Sequence, residues 1–492
     1  MDIIDSIKSA SDSPEALTHL LNDKSVELFR YFNATHGYVA KDREFWYELV
    51  QKHKNVLRDL DYDNQFVRAL IINLLDLACR FSSRASVITL ADIVNEKNLL
   101  IGKRLEAETK LFYPSVSHPS DLIDRFENIC GLLQTASEEE EADDRNVKAA
   151  LLTYFDYILQ NTQPVYHKQF IERVNNNLNS FPVLGLIVDE VNEAKPDHNH
   201  LRALIDQTLQ RDDAPIVATV FGPNLIETAT DYANRLAGIP DNFNSIRELA
   251  KAMTPGGRTL RQRGVEIITD PDDLLVYMHN YGNMHFAKVS SALELPFPAI
   301  DNDIDIIDWG CGQAIATMAF IEKFGPDRIK MIVLIEPSEL ALKRAALHCK
   351  KLAPQANIIT ICKSFDRIDA SALPQRTSEV AVNLFSNVLD MGFFSHAHLI
   401  GLIESAPATL NFFVCASPAI DENAVARLEA FRTHFESSHR DTFIPYHNIV
   451  NDSHGKYWMC NSRYSYGVEN TVPATTVVPT TQTVVIRNGH AY

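Results

Sequence analysis

The sequence predicts an α/β fold in the C-terminal part of the chain, preceded by a mainly helical N-terminal region. Three observations lead to this fold class. An apolar run, a glycine turn and an apolar helix-like segment follow one another at 304–324. Four further short apolar runs come after it, separated by helix-like segments, as in a parallel sheet. Residues 1–250 repeatedly show the spacing of amphipathic helices instead.

Length, net charge and cysteine content limit the number of domains and the class of protein. With 492 residues it is long for one core, so two or three domains are expected. A net charge of −18, with no basic third of the chain, disfavours a broad nucleic-acid-binding face. Seven cysteines without a CxxC pair predict reduced thiols in a cytoplasmic protein. The acidic N-terminus is unlike a signal peptide, and no apolar run is long enough to span a bilayer.

The N-terminal region is predicted from helix signals. Asp12–Glu15 combines a polar cap, an early proline and an acid in the first turn, which is typical of a helix start. Residues 67–78 carry an apolar stripe wide enough for a buried helix. The block SEEEEADD at 137–144 is typical of a solvated linker. The predicted division is a helical domain at 1–136, an acidic linker at 137–145, a mostly helical region at 146–269 and the α/β domain at 270–492.

The first strand ends in a glycine turn at Asp308, Gly310 and Gly312. Glycines there allow positive φ and close approach of a ligand, and the following helix directs free N–H groups to the same place. A dinucleotide fingerprint needs a small third residue, where this chain has Ile315, and an apolar end to the strand, where it has Asp308. A nicotinamide-dependent oxidoreductase is therefore disfavoured.

The turn resembles motif I of the class I S-adenosylmethionine-dependent methyltransferases, written acid-x-Gly-x-Gly-x-Gly/Ala. Asp308, Gly310, Gly312 and Ala314 match it place by place, and the resemblance covers residues 270–492. It implies a Rossmann-like sheet closed by an antiparallel hairpin, with S-adenosyl-L-methionine as the cofactor. It assigns Asp308 to the amino group of the methionine part and the two glycines to the space beside the adenosyl sugar.

Acids after the next two strands complete the expected cofactor site. Met331–Ile335 is a second strand that ends in Glu336, and an acid there suits two hydrogen bonds from ribose hydroxyls. Asn357–Cys362 is a third strand. In the family the loop after it contacts the adenine, and Phe365 and Asp366 would serve that role here.

The fourth strand, Glu379–Phe385, should end beside the transferred methyl group, since open α/β sheets bind ligands at the carboxyl ends of their strands. Neither the Pro-Pro motif of base-amine methyltransferases nor the Pro-Cys pair of cytosine-C5 enzymes is present. Asn383, Asn387 and Asp390 are candidates for orienting an acceptor, and Asn387 has the alternative of a helix cap.

The segment before motif I supplies further candidates. By the resemblance it covers the methionine end of the cofactor or touches the acceptor, which makes Tyr281, His285 and Lys288 candidates, with His285 counted as catalytic. The alternative is an amphipathic helix that flanks the sheet. After a fifth strand at Leu410–Ala416, the expected hairpin draws on Thr442–Tyr446, Lys456–Cys460 and Gln482–Ile486.

The function expected from these residues is methyl transfer from S-adenosyl-L-methionine to an acceptor, for which the large helical half suggests a macromolecule such as protein or RNA. No metal site is predicted. The alternative is a catalytically silent methyltransferase-like binding or scaffold protein, with the helical half contacting a protein partner.

Overall fold

A computed structural model describes most of the chain. The described residues are 3–34, 42–114, 118–140, 142–193, 197–209, 224–256, 267–294, 302–392, 394–406, 408–454 and 457–467. Their elements confirm the predicted order, with helices in the first half and a sheet covered by helices in the second.

The first half is helical. Ser13 caps the second helix by accepting a hydrogen bond from the backbone N–H of Ala16 at 3.2 Å, as predicted for Asp12–Glu15. The apolar stripe at 67–78 lies buried in the sixth helix, and one continuous core extends from Ile4 to Ile205. The helices are α1 (Ile3–Ala10), α2 (Pro14–Asp23), α3 (Ser25–Ala34), α4 (Arg43–Lys52), α5 (Lys54–Arg58), α6 (Gln65–Arg80), α7 (Arg84–Lys97), α8 (Lys103–Lys110), α9 (Pro119–Glu139), α10 (Asp144–Asn161), α11 (Pro164–Asn177), α12 (Val188–Val191) and α13 (His198–Leu209).

The described residues of the acidic segment at 137–144 lie at the end of one helix and the start of the next, so the segment predicted as a linker at 137–145 is partly helical. Helix α9 continues through Glu139, and α10 begins at Asp144. Ser137 is buried, and both helices contribute side chains to the same core. A run of like charge normally indicates solvation. Here it ends one amphipathic helix and begins the next, so only part of it faces water.

The second half contains a seven-stranded sheet. Its strands are β1 (Ile304–Trp309), β2 (Ile329–Ile335), β3 (Asn357–Ile361), β4 (Val380–Ser386), β5 (Leu410–Ser417), β6 (Ile444–His454) and β7 (Tyr457–Gly467). They lie in the order β3-β2-β1-β4-β5-β7-β6. Strands β1 to β5 are parallel, and β7 pairs antiparallel with both β5 and β6. The five predicted parallel strands correspond to β1–β5, while the predicted strand Gln482–Ile486 lies outside the described residues.

Helices cover both faces of the sheet. They are α14 (Thr230–Ala237), α15 (Phe243–Met253), α16 (Pro271–Asn280), α17 (Gly282–Glu294), α18 (Ile315–Phe324), α19 (Glu339–Leu352), α20 (His396–Ser405) and α21 (Glu422–Ser438). One face packs against α14–α19 and the other against α20 and α21, which explains why the strands are apolar on both faces. Because Tyr232 and Phe243 belong to the core of the sheet, the α/β unit begins before the predicted boundary at residue 270.

The two halves meet at the first turn of α21. The Glu422 side chain is 5% exposed. Its carboxylate accepts hydrogen bonds from Gln65 Nε2 at 2.8 Å, from Arg68 Nε at 3.1 Å and from the Leu100 N–H at 3.0 Å. All three donors belong to the helical half. A buried carboxylate with this many donors fixes the orientation of the helical half on α21.

Replacing Glu422 by alanine should therefore destabilise the whole protein. We expect Glu422→Ala to lower the free energy of unfolding by about 2–3 kcal/mol, because Arg68 and two other donors lose a charged partner. Urea denaturation followed by circular dichroism measures the change. Glu48→Ala is the matched control, since Glu48 is 67% exposed and pairs only across the surface with Lys52 at 2.8 Å. Its expected cost is below about 1 kcal/mol, and equal effects of the two variants would contradict the assignment.

Candidate cofactor and acceptor site

The turn between β1 and α18 has one closed and one open side. Gly310, Gly312 and Ala314 have φ values of +71°, +50° and +64°. Glycine adopts such values without strain, whereas Ala314 has a Cβ and adopts its value at a cost in backbone strain. A Cβ on Gly310 would lie 2.7 Å from Val388 Cγ2, whereas a Cβ on Gly312 would meet no described atom within 4 Å. The free space beside the turn therefore begins at Gly312.

Asp308 is buried beneath this turn. Its Oδ2 accepts hydrogen bonds from Thr317 Oγ1 at 2.7 Å and from the Thr317 N–H at 3.3 Å, and the residue is 1% exposed. Thr317 lies in the first turn of α18, where Ala314 at the N-cap has no side-chain oxygen to offer. Burial raises the pKa of Asp308 to about 6, and the Thr317 hydrogen bonds oppose this shift. Asp308 thus caps the N-terminus of α18 through Oδ2, and its contact with a ligand amino group stays a prediction.

Glu336 lies at the open side of the turn, at the end of β2. Its Oε2 accepts a hydrogen bond from the Gly312 N–H at 3.1 Å, and its Oε1 accepts one from the Ser338 N–H at 3.0 Å. Each carboxylate oxygen has two lone pairs, so two more donors can be accommodated. Burial raises the pKa of Glu336 to about 7, although the two amides oppose the shift. This position is the one expected for an acid that holds a ribose.

The loop after β3 brings one of its two candidates to the turn. Phe365 Cζ lies 3.5 Å from the position that a Cβ on Gly310 would take, so the ring borders the turn. Asp366 is exposed, and its Oδ1 accepts a hydrogen bond from the Ser395 N–H at 3.0 Å. Ser395 is the N-cap of α20. The aromatic ring therefore packs beside the turn at Gly310 and its contact with a ligand base stays a prediction, while the acid anchors its own loop to α20.

The candidates at β4 divide into one internal residue and two beyond the strand. Asn383 is fully buried within β4, where its Oδ1 accepts from Trp309 Nε1 at 3.1 Å and its Nδ2 donates to the Phe412 carbonyl at 3.4 Å. These cross-strand bonds use the Asn383 amide within the sheet, and its role in orienting an acceptor stays a prediction. Asn387 follows the strand at a φ of +54°, and its N–H donates to the Ala416 carbonyl at 2.8 Å. No helix begins there in the described chain, so the cap alternative is wrong. Asp390 is half-buried three residues further on.

Four polar side chains meet beyond the end of β4, and we call them the acceptor-side network: Tyr277, His285, Lys288 and Asn387. Tyr277 Oη lies 2.8 Å from His285 Nε2, and Lys288 Nζ donates to Asn387 Oδ1 at 3.4 Å. The Asn387 amide nitrogen is in hydrogen-bond contact with His285 Nδ1. Three members are at most 5% exposed, and Tyr277 is half-buried at the outer end.

Sequence analysis identified three members of this network and missed Tyr277. Tyr277 lies on α16, whereas His285 and Lys288 lie on α17, so helical spacing does not connect them. The helices are separated only at Tyr281, the C-cap of α16, and the Tyr277 and His285 rings stack at 5.5 Å between centroids across this break.

A second missed residue, Gln313, joins the turn to its surroundings. Its Nε2 donates to the Leu274 carbonyl of α16 at 3.0 Å, and its own carbonyl accepts from His348 Nδ1 of α19 at 3.0 Å. Within the described chain its Oε1 is buried without a hydrogen-bond partner. The turn is thus fixed to the helix that carries Tyr277.

Comparisons with known proteins give structural neighbours only. No family model and no curated sequence matches the chain. A SAM-dependent methyltransferase from Aquifex aeolicus is similar with 13% identity and a TM-score of 0.30, over 40% of this chain and 100% of that one. The N-methyltransferase NodS from Bradyrhizobium japonicum, in complex with S-adenosyl-L-homocysteine, shares 12% identity at a TM-score of 0.25, over 38% of this chain and 87% of that one.

A SAM-dependent methyltransferase from Leishmania major is also similar, with 11% identity and a TM-score of 0.24, over 48% of this chain and 81% of that one. All three are methyltransferases, the class that the residues of the turn resemble. At these identities and TM-scores the likeness carries no argument about activity. Among the described residues, no helix combines the length and apolar content needed to cross a membrane.

The raised pKa of Glu336 predicts a pH dependence of stability. Between the ordinary glutamate pKa, near 4.5, and about 7, the folded protein binds more protons than the unfolded chain. The contribution of Glu336 to stability therefore falls as the pH rises through this window. Glutamine does not titrate, so the melting temperature of Glu336→Gln should rise relative to that of the wild type between about pH 5 and pH 8.

Differential scanning calorimetry across this pH range measures the difference. Glu339→Gln, three residues further on at an exposed position, provides the control and should stay parallel to the wild type. A Glu336→Gln difference that is constant with pH would show that the carboxylate is ordinarily solvated.

Proposed function

We propose that this protein is an S-adenosylmethionine-dependent methyltransferase whose cofactor binds at the turn between β1 and α18. The observation that carries the proposal is the position of Glu336 beside Gly312. The Glu336 carboxylate can accept further hydrogen bonds, and it lies next to the turn at Gly312, where no side chain fills the space. The neighbours of β1 are β2 and β4, so the strand order reverses at this point, where open α/β sheets bind ligands.

The residues present fit the cofactor part by part. Glu336 would accept hydrogen bonds from the ribose hydroxyls, using the lone pairs that Gly312 and Ser338 leave available. Gly312 leaves the space in which the sugar would approach the backbone. Phe365 would lie against the base. Asp308 supports the site indirectly, since it holds the first turn of α18 in place.

When bound, S-adenosylmethionine supplies a methyl group on a positively charged sulfur, which leaves with the electron pair of the broken carbon–sulfur bond. The protein has to align the acceptor lone pair with that bond and keep water out. The acceptor-side network follows β4, next to Val388, which closes the turn at Gly310. It is therefore the part of the protein that would orient the acceptor. We propose a macromolecular acceptor, protein or RNA, because the helical half is large and packs onto the same domain.

One observation favours the alternative of a silent binding protein. The Asn383 side chain accepts a hydrogen bond from Trp309 and donates one to the Phe412 carbonyl, so it is used within the sheet. The end of β4 also lacks the Pro-Pro and Pro-Cys motifs of known methyltransferase subclasses. Incubation with methyl-labelled S-adenosylmethionine and fractionated protein, RNA, DNA and small molecules separates the two functions. Label in any fraction above a no-enzyme control rules out the silent protein.

The open side of the turn gives a direct test of cofactor binding. Gly312→Ala adds one methyl group to the space in which the sugar would lie, so we expect the affinity for S-adenosyl-L-homocysteine to fall at least about tenfold, equivalent to about 1.4 kcal/mol. Isothermal titration calorimetry measures this affinity.

Gly325→Ala is a matched control. Gly325 also has a positive φ, +79°, and a Cβ there would likewise meet no described atom within 4 Å. Gly325 has a ψ of 163°, in a region that essentially only glycine populates, so its alanine variant tests how backbone strain alone affects binding, and Gly325 lies beyond the far end of α18. Unchanged affinity in Gly312→Ala, or equal losses in both variants, would refute the placement of the cofactor.

A further inference from the structure

We propose that His348 is a positioning residue for cofactor binding, which holds the glycine turn in its binding conformation through the Gln313 carbonyl. The inference rests on the proposed function, since it concerns the same cofactor site. It also brings Tyr232 of α14 into the support of that site, although α14 lies before the segment that resembles a methyltransferase.

The peptide group between Gln313 and Ala314 is held at both of its polar ends. Its N–H donates to the Cys311 carbonyl at 2.7 Å. Its carbonyl lies just before Ala314, the N-cap of α18, and is therefore outside the hydrogen-bond pattern of that helix. His348 Nδ1 of α19 lies 3.0 Å from this carbonyl oxygen. Because a carbonyl only accepts, His348 holds a proton on Nδ1 and donates it.

This peptide group sets the backbone conformation of Ala314. Ala314 has a φ of +64°, at which its Cβ is strained. A residue other than glycine keeps such a conformation only where its surroundings hold it there. Without the donor on His348, rotation of the peptide group would return Ala314 to an ordinary φ. The turn would then lose the shape in which the Gly312 N–H donates to Glu336 at 3.1 Å.

The other edge of the His348 ring is held as well. Burial lowers the pKa of His348 to about 4, against the opposing hydrogen bond to Gln313 and with the charge of Arg344, so the ring is neutral near pH 7. With the proton on Nδ1, the lone pair on Nε2 faces the Tyr232 hydroxyl, which it contacts. The Arg344 guanidinium lies 4.3 Å from the centroid of the Tyr232 ring and 3.5 Å from Glu227 Oε2. These contacts keep Nδ1 directed at the turn.

The strain at Ala314 sets the size of the expected effect. A residue with a Cβ prefers an ordinary φ over a left-handed one by roughly tenfold. A turn that His348 does not hold would therefore be in the binding conformation about one tenth of the time, and the apparent affinity for the cofactor would fall by the same factor. Glycine has no such preference, so a turn with glycine at 314 would depend less on His348.

Isothermal titration calorimetry of the full-length protein with S-adenosyl-L-homocysteine tests this role. In His348→Gln the side-chain N–H no longer lies at the place of Nδ1, and we expect the affinity to fall about tenfold. His19→Gln is the matched control, since it is the same substitution at a side chain that is 78% exposed on α2, and it should bind like the wild type.

Ala314→Gly separates positioning of the turn from a general loss of stability. The double variant Ala314→Gly/His348→Gln should bind within about threefold of Ala314→Gly, because the strain that His348 opposes is gone. A variant that binds poorly because its core is disrupted would not be repaired in this way.

Nitrogen-15 NMR spectra of the histidine-labelled wild type test the geometry without any substitution. We expect the His348 ring to be neutral at pH 7 with its proton on Nδ1. A proton on Nε2, wild-type affinity in His348→Gln, or a tenfold loss that persists on top of Ala314→Gly overturns this inference alone. A wild type that does not bind S-adenosyl-L-homocysteine overturns the proposed function and this inference with it.

Discussion

The hydrogen bonds from the Gly312 and Ser338 amides to Glu336 are the interaction on which the site depends. They connect the glycine turn after β1 to the start of α19 after β2, at 3.1 Å and 3.0 Å. Burial raises the pKa of this carboxyl group to about 7, so it carries its charge at a cost that two amides only partly offset. Further hydrogen-bond donors from a ligand would stabilise the charged form. The same group thus shapes the turn and, in the proposed function, would accept hydrogen bonds from the ribose hydroxyls.

The helical half also helps to hold the loop after β4. Arg427 of α21 donates to the Leu389 carbonyl at 3.2 Å, in the loop that carries Asn387, and the same guanidinium contacts Asn33 of α3. Its third partner is His396 Nε2 at 3.1 Å. Burial and the charge of Arg427 hold the pKa of His396 well below its usual value, so the ring stays neutral and accepts. The loop after β4 is therefore held between the sheet and the helical half.

Much of the fold follows from local patterns that the chain shows clearly. The five parallel strands are apolar on both faces and separated by single helices, so their order along the chain could be predicted within a few residues. The acidic segment at 137–144 was misjudged because charge indicates solvation for a residue but does not end a helix whose opposite face is buried.

The candidate site was predicted less completely, because the direction of a side chain depends on partners that are distant in sequence. Asp308 belongs to the motif, but Thr317 on the next helix decides where its carboxylate points. Asn383 stands near the end of a strand, yet Trp309 of the neighbouring strand uses its oxygen. Tyr277 and His285 meet across the break between α16 and α17, which the sequence did not reveal. Glu336 was predictable because its role needs only its place at the end of β2.

A crystal structure of the full-length protein with S-adenosyl-L-homocysteine tests the central claim most directly. The account predicts that both ribose hydroxyls hydrogen-bond to Glu336, that the sugar lies over Gly312 and that the base contacts Phe365. Ligand density elsewhere on the protein, with the space beside Gly312 closed by neighbouring side chains, would contradict it.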